Sequence, residues 1–121
     1  MSEIKKLLKE VPEDFAENLG AINEDIASTQ QTLRDKLIFI ATGVPVDDQM
    51  ILTWQKWTND NWYLVVTDVR AGDLVNGSQR LLTSSSIQER IHCHQALKAL
   101  VQEILRLALI AKKSGGVDAT N

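Results

Sequence analysis

Cysteine, long apolar runs and an excess of basic charge are all missing or scarce in this 121-residue chain. Cys93 is the single cysteine, so no internal disulfide can form and a hydrophobic core must hold the fold. A lone thiol also points to a reducing compartment, and a cytoplasmic location is expected. No apolar tract exceeds five residues, Leu107–Ala111 among them, far too short to cross a bilayer, so no membrane span is expected. The charged N-terminal residues lead into no apolar run of the secretory kind. Lys and Arg number 13 against 16 Asp and Glu, a net charge of −3, which weighs against a protein that mainly grips a phosphate backbone. No glycine grouping has the spacing of a phosphate-cradling loop, and no cofactor is expected.

Aromatic residues make up only 5% of the chain, yet they are not scattered. All three tryptophans and the only tyrosine fall within Met50 to Val69. Two runs rich in aromatic and β-branched residues, Ile51–Trp57 and Trp62–Val69, flank the polar cluster Thr58-Asn59-Asp60-Asn61. That pattern predicts a β-hairpin. A connection of two or four residues sets Trp57 opposite Trp62 and Trp54 opposite Val65. Alternation then places Met50, Leu52 and Trp54 with Tyr63, Val65 and Thr67 on an inner face. The other face ends in Trp57 and Trp62 side by side at the turn.

Helical patterns lie on both sides of this hairpin. Residues 2–10 carry a short amphipathic pattern, with Ile4, Leu7 and Leu8 on one side and lysines on the other. Pro12 and the acids after it mark a second start, and an apolar seam runs from Phe15 through Ile26 and Leu33 to Ile40. Residues 37–42, LIFIAT, also fit a buried strand. The seam stays in phase, so helix is expected as far as Ala41, closed by Gly43 and Pro45, with a loop to Gln49. Asn76-Gly77 marks a turn, and Gln79–Thr83 is expected as a short third strand. Ser86 followed by Glu89 forms a capping box, opening a long helix from Ile87 to about Lys112 that Gly115-Gly116 ends. The fold class is therefore α+β: a helical N-terminal half, a small antiparallel sheet, and a long C-terminal helix against it. One domain covers residues 1–114, and 115–121 is read as a disordered tail.

Chemistry-bearing groups are sparse. His92-Cys93-His94 point about 100° apart on a helix and cannot share one metal ion. Glu89 and His92 have the half-spacing of di-iron bundles, but no second Glu-x-x-His exists, so no metal is expected. Ser84-Ser85-Ser86 reads as a cap rather than a phosphate site, Asp47-Asp48 as a solvated pair, and no catalytic pairing emerges. The chain is thus expected to be a non-enzymatic interaction protein that self-associates and binds a protein partner. Its distal C-terminal helix is apolar around too much of its circumference, which puts Leu105, Leu109 and Ile110 in a dimer interface. Trp57 and Trp62, with Lys56 and Arg70 nearby, form the candidate binding patch. Stacking of single-stranded nucleic acid on those aromatics is the alternative, and burial of the pair under the N-terminal helix is the reading without function.

Overall fold

A computed structural model describes the backbone of residues 2–119 and the side chains as far as residue 113. α1 (Glu3–Leu8) starts where the Ser2 hydroxyl accepts from the Lys5 N–H at 3.2 Å, and it buries none of its residues. α2 (Phe15–Asp35) follows, with Ile26, Gln30 and Leu33 on its buried face. It does not reach Ala41. The N–H of Ile38 returns to the Leu33 carbonyl at 2.9 Å and that of Leu37 to Arg34 at 3.0 Å. This 6→1 and 5→2 pair is a Schellman ending, with Leu37 left-handed at φ 56° where glycine is the usual occupant.

The segment expected as a loop contains a strand instead, β1 (Thr42–Pro45). Gly43 is not a helix stop. It pairs with Thr53, and a Cβ there would stand 2.6 Å from the Thr53 methyl and 3.0 Å from the Leu52 carbonyl oxygen. Asp47 shapes the turn to β2 (Met50–Lys56), its Oδ1 accepting from the Gln49 and Met50 N–H groups at 2.7 and 2.9 Å.

β2 and β3 (Trp62–Arg70) form the expected hairpin, one residue out of the expected register. Trp54 pairs with Leu64 and Lys56 with Trp62. The connection has three residues, Thr58-Asn59-Asp60. The Asp60 N–H turns back to the Trp57 carbonyl, Asp60 is left-handed at φ 63°, and the Trp57 N–H closes on the Asn61 carbonyl at 2.8 Å. A turn followed by one left-handed residue is the usual three-residue loop, and the odd count changes which faces match. The inner face therefore combines Leu52 and Trp54 with Trp62, Leu64 and Val66. Ala71 and Gly72, both at positive φ, turn β3 into β4 (Asp73–Leu74). β5 (Arg80–Leu81) pairs with β3 at Val65 and Val66, where a short third strand is expected. Every strand pair is antiparallel.

A short 3-10 turn, Leu82–Ser84, leads to α3 (Ile87–Ala119), whose cap is the predicted one: the Ser86 hydroxyl accepts from the Glu89 N–H at 3.2 Å. α3 continues past the glycine pair expected to end it, and residues 120–121 of the expected tail lie outside the described residues. α2 and α3 cover the same sheet face, and the core joins Ile26 and Leu33 to Leu52, Trp54, Leu64 and Val66, and to Cys93, Leu97, Leu100 and Ile104. The two helices run in the same direction. Arg90 reaches Asn23 at 2.8 Å, His94 reaches Asp25 at 2.8 Å, and Val101 stands beside Thr32 and Leu33. Both point towards the β2–β3 tip, because Arg34 near the end of α2 donates to the Trp62 carbonyl at 2.8 Å. The α+β architecture is as the sequence predicts.

Candidate functional site

The aromatic residues form a file from the core to the surface rather than a pair at the tip. Trp54 is fully buried, and its indole N–H donates to the Ile38 carbonyl at 2.7 Å. Its ring lies 5.8 Å from that of Trp62, which in turn lies 5.5 Å from Phe39. Trp62 is thus half-buried on the inner face, while Trp57 is half-buried at the tip opposite Asn61. The side-by-side Trp57/Trp62 patch expected from the sequence is not formed, because the three-residue loop moves Trp62 to the core side. Lys56 pairs with Asp60 at 3.3 Å. Arg70 is exposed at the opposite end of the nine-residue β3, roughly 25 Å along the strand. The four predicted binding residues are therefore not one surface.

Leu37 and Phe39, expected inside a helix, are instead exposed apolar residues at the tip end. Leu37 is 71% exposed and Phe39 46%. A left-handed leucine that packs little contributes to the backbone turn only with strain, so its side chain is unexplained by the fold alone. No signal marks it in the sequence, since the glycine that usually announces such an ending is absent.

At the same end α3 runs on past Ile104, the last fully buried side chain described, for about 13 Å to residue 113. Val101, Leu105 and Leu109, each four residues from the next, make a stripe; the last two are 55% and 54% exposed. Ile110 is also exposed, but on another side of the helix. Of the three predicted interface residues, Leu105 and Leu109 share a stripe and Ile110 does not.

Polar groups elsewhere serve mainly as ties. Arg80 donates through Nε to Glu89 at 2.8 Å, through Nη1 to the Ser78 carbonyl at 2.7 Å, and through Nη2 to Asp68 at 3.1 Å and to the other Glu89 oxygen. The Glu89 hydrogen bond, ahead of desolvation that opposes it, raises the guanidinium above its ordinary value. Glu89 thus caps α3 through its backbone while its carboxylate anchors β5. A hollow of about 610 Å³ opens beside Met50, Asp68 and Glu89. Asp68 and Glu89, which line it, have their carboxylates already held by Arg80.

The two histidines diverge, His92 to Asp47 at 2.8 Å and His94 to Asp25, tying α3 to the β1–β2 turn and to α2. The backbone N–H of Gln49, then the His92 side chain, hold the Asp47 carboxyl below its ordinary value. Cys93 between them is buried, and burial pushes its thiol up to about 11. Among the described residues no three His, Cys, Asp or Glu side chains are placed to hold a metal ion, and no helix is long and apolar enough to cross a membrane. Compared with protein-family models, with curated proteins and with solved structures, the chain has no significant match.

Proposed function

We propose that the protein is a small, non-enzymatic cytoplasmic interaction protein that self-associates and binds a protein partner through the tip end of its fold. The observation that carries this reading is the apolar stripe Val101, Leu105 and Leu109 on a helix that overruns its own core. Leu37 and Phe39 add exposed apolar surface at the same end. Such residues cost solubility in a monomer and gain by contact, since burying a leucine is worth about 1.5–3 kcal/mol. The lone buried thiol fits a reducing cytoplasm. The nucleic-acid alternative draws no support from the geometry. Its stacking pair is split between tip and core, and Lys56 is engaged by Asp60.

Light scattering over a concentration series tests the assembly. A dimer mass that Leu105→Lys or Leu109→Lys reduces to that of a monomer is the expected result. A monomer mass at every concentration overturns the proposal, and a dimer indifferent to both substitutions removes α3 from the interface.

A further inference from the structure

α1 is an amphipathic helix whose apolar face stands largely in solvent. Ile4, Leu7, Leu8 and, just past its end, Val11 are all more than half exposed. Six residues cannot hold helical form on propensity alone, because isolated helices shorter than about 12–15 residues are marginal in water. Such a helix is stable when its apolar stripe lies against something.

The chain also carries an unfilled groove. Two adjoining hollows of about 420 and 180 Å³ lie between α2 and α3 and share Ser28, Thr29 and Val101. Leu33 and Leu97 line their apolar parts. Lys98 is the charge offered by the α3 wall, whereas Asp25 on the α2 wall is paired with His94 across the groove at 2.8 Å. From Asp25 to Leu33 the groove is about 12 Å long, against about 9 Å for α1. Val101 at its far end begins the Leu105–Leu109 stripe, so groove and stripe are one continuous apolar track.

We infer that the α2–α3 groove receives α1 of a second copy, so that two chains exchange their N-terminal helices; this rests on the self-association proposed above. Charge agrees with the fit. On a helix of 100° per residue, Lys5 falls on one flank of the Ile4–Leu7–Leu8 stripe and Glu3 on the other. One direction of docking sets Glu3 towards Lys98. The chain's own α1 lies outside this groove, whose lining comes from α2 and α3 alone. Residues 9–14 are held in turns rather than extended towards it, with the Glu10 and Val11 N–H groups on the Leu7 and Leu8 carbonyls and the Phe15 N–H on Pro12.

Disulfide trapping tests this on the full chain, since the native Cys93 is buried and does not compete. Chains carrying Leu7→Cys and chains carrying Thr29→Cys are mixed and oxidised. Covalent dimers form in the mixture and not in either chain alone. Lys98→Glu in the Thr29→Cys chain slows trapping about tenfold, the effect of losing one favourable charge contact worth about 1.4 kcal/mol, and Glu3→Lys in the Leu7→Cys chain restores it. A chain with both cysteines that closes on itself at monomer mass, with no trapping in the mixture, places α1 in its own groove and overturns the inference. Absence of trapping while light scattering still gives a dimer overturns it too, and leaves the α3 interface standing. A monomer mass throughout removes the self-association reading itself.

Discussion

Replacing Leu37 by glycine and by alanine separates backbone from side chain at the end of α2. Leu37 sits at φ 56°, and both Schellman hydrogen bonds depend on that conformation. A left-handed conformation costs a non-glycine residue about 1–2 kcal/mol. Glycine escapes that cost but gains freedom in the unfolded chain, which offsets about 0.4–1 kcal/mol. Both substitutions remove the atoms beyond Cβ of a side chain that is 71% exposed, so those contacts cancel in the comparison. Leu37→Gly should therefore be more stable than Leu37→Ala by about 0.5–1 kcal/mol, the reverse of the order in a helix interior, where glycine is about 1 kcal/mol worse. Urea denaturation gives the difference, and thermal melts should separate the two by about 3 °C. An alanine variant equal to or more stable than the glycine variant would refute the left-handed assignment and with it the Schellman ending.

Gly43→Ala should cost about 1–3 kcal/mol, because the new methyl meets the Thr53 side chain at 2.6 Å. Adding Thr53→Ala should recover part of that loss, and a denaturation midpoint unchanged in the single variant would show that β1 does not approach β2 so closely. Arg80→Lys should cost about 1–3 kcal/mol, since an ammonium cannot reach Glu89, Asp68 and the Ser78 carbonyl together; full stability in the lysine variant refutes the tie. Cys93, raised from 9.0 to about 11 first by burial and then by Glu89, is stabilising as a neutral thiol. Its contribution is complete below the unfolded value and is lost as pH rises through about 11, so thiol reagents at pH 8 should label the protein only after unfolding, and rapid labelling of native protein is the contrary result.

The parts of the fold that were legible in the sequence are those written in local chemistry. Ser86 and Glu89 mark the start of α3 because capping is a contact between residues three apart. The hairpin shows itself through its β-branched and aromatic runs. Its register does not, because a turn of two, three or four residues fits the same Thr-Asn-Asp-Asn cluster, and only the conformation of Asp60 selects among them. The end of α2 was hidden for a related reason: Leu37 takes a conformation that its identity disfavours, held by Ile38 and Leu33. Gly43 misled because glycine answers two different needs, ending helices and admitting a close neighbour. The candidate surface follows the same division. Leu105 and Leu109 were visible as excess apolar residues on a helix, whereas Leu37 and Phe39 emerge only once the helix before them stops.

The α2 side chains that meet the free edge of β3 also act as a proofreader. Gln30 accepts the Leu64 N–H at 2.8 Å, and Arg34, one helical turn on, donates to the Trp62 carbonyl while its guanidinium lies 4.4 Å over the Tyr63 ring. On a strand, alternate residues turn their backbone groups to opposite edges, so Trp62 and Leu64 present theirs to α2 only when they also face the core. A hairpin slipped by one residue, the pairing its turn sequence equally allows, rolls β3 over and withdraws both groups. Gln30, nearly fully buried, would then sit in the core without a partner for its amide oxygen. Docking of α2 thus favours the observed register over the misaligned hairpin.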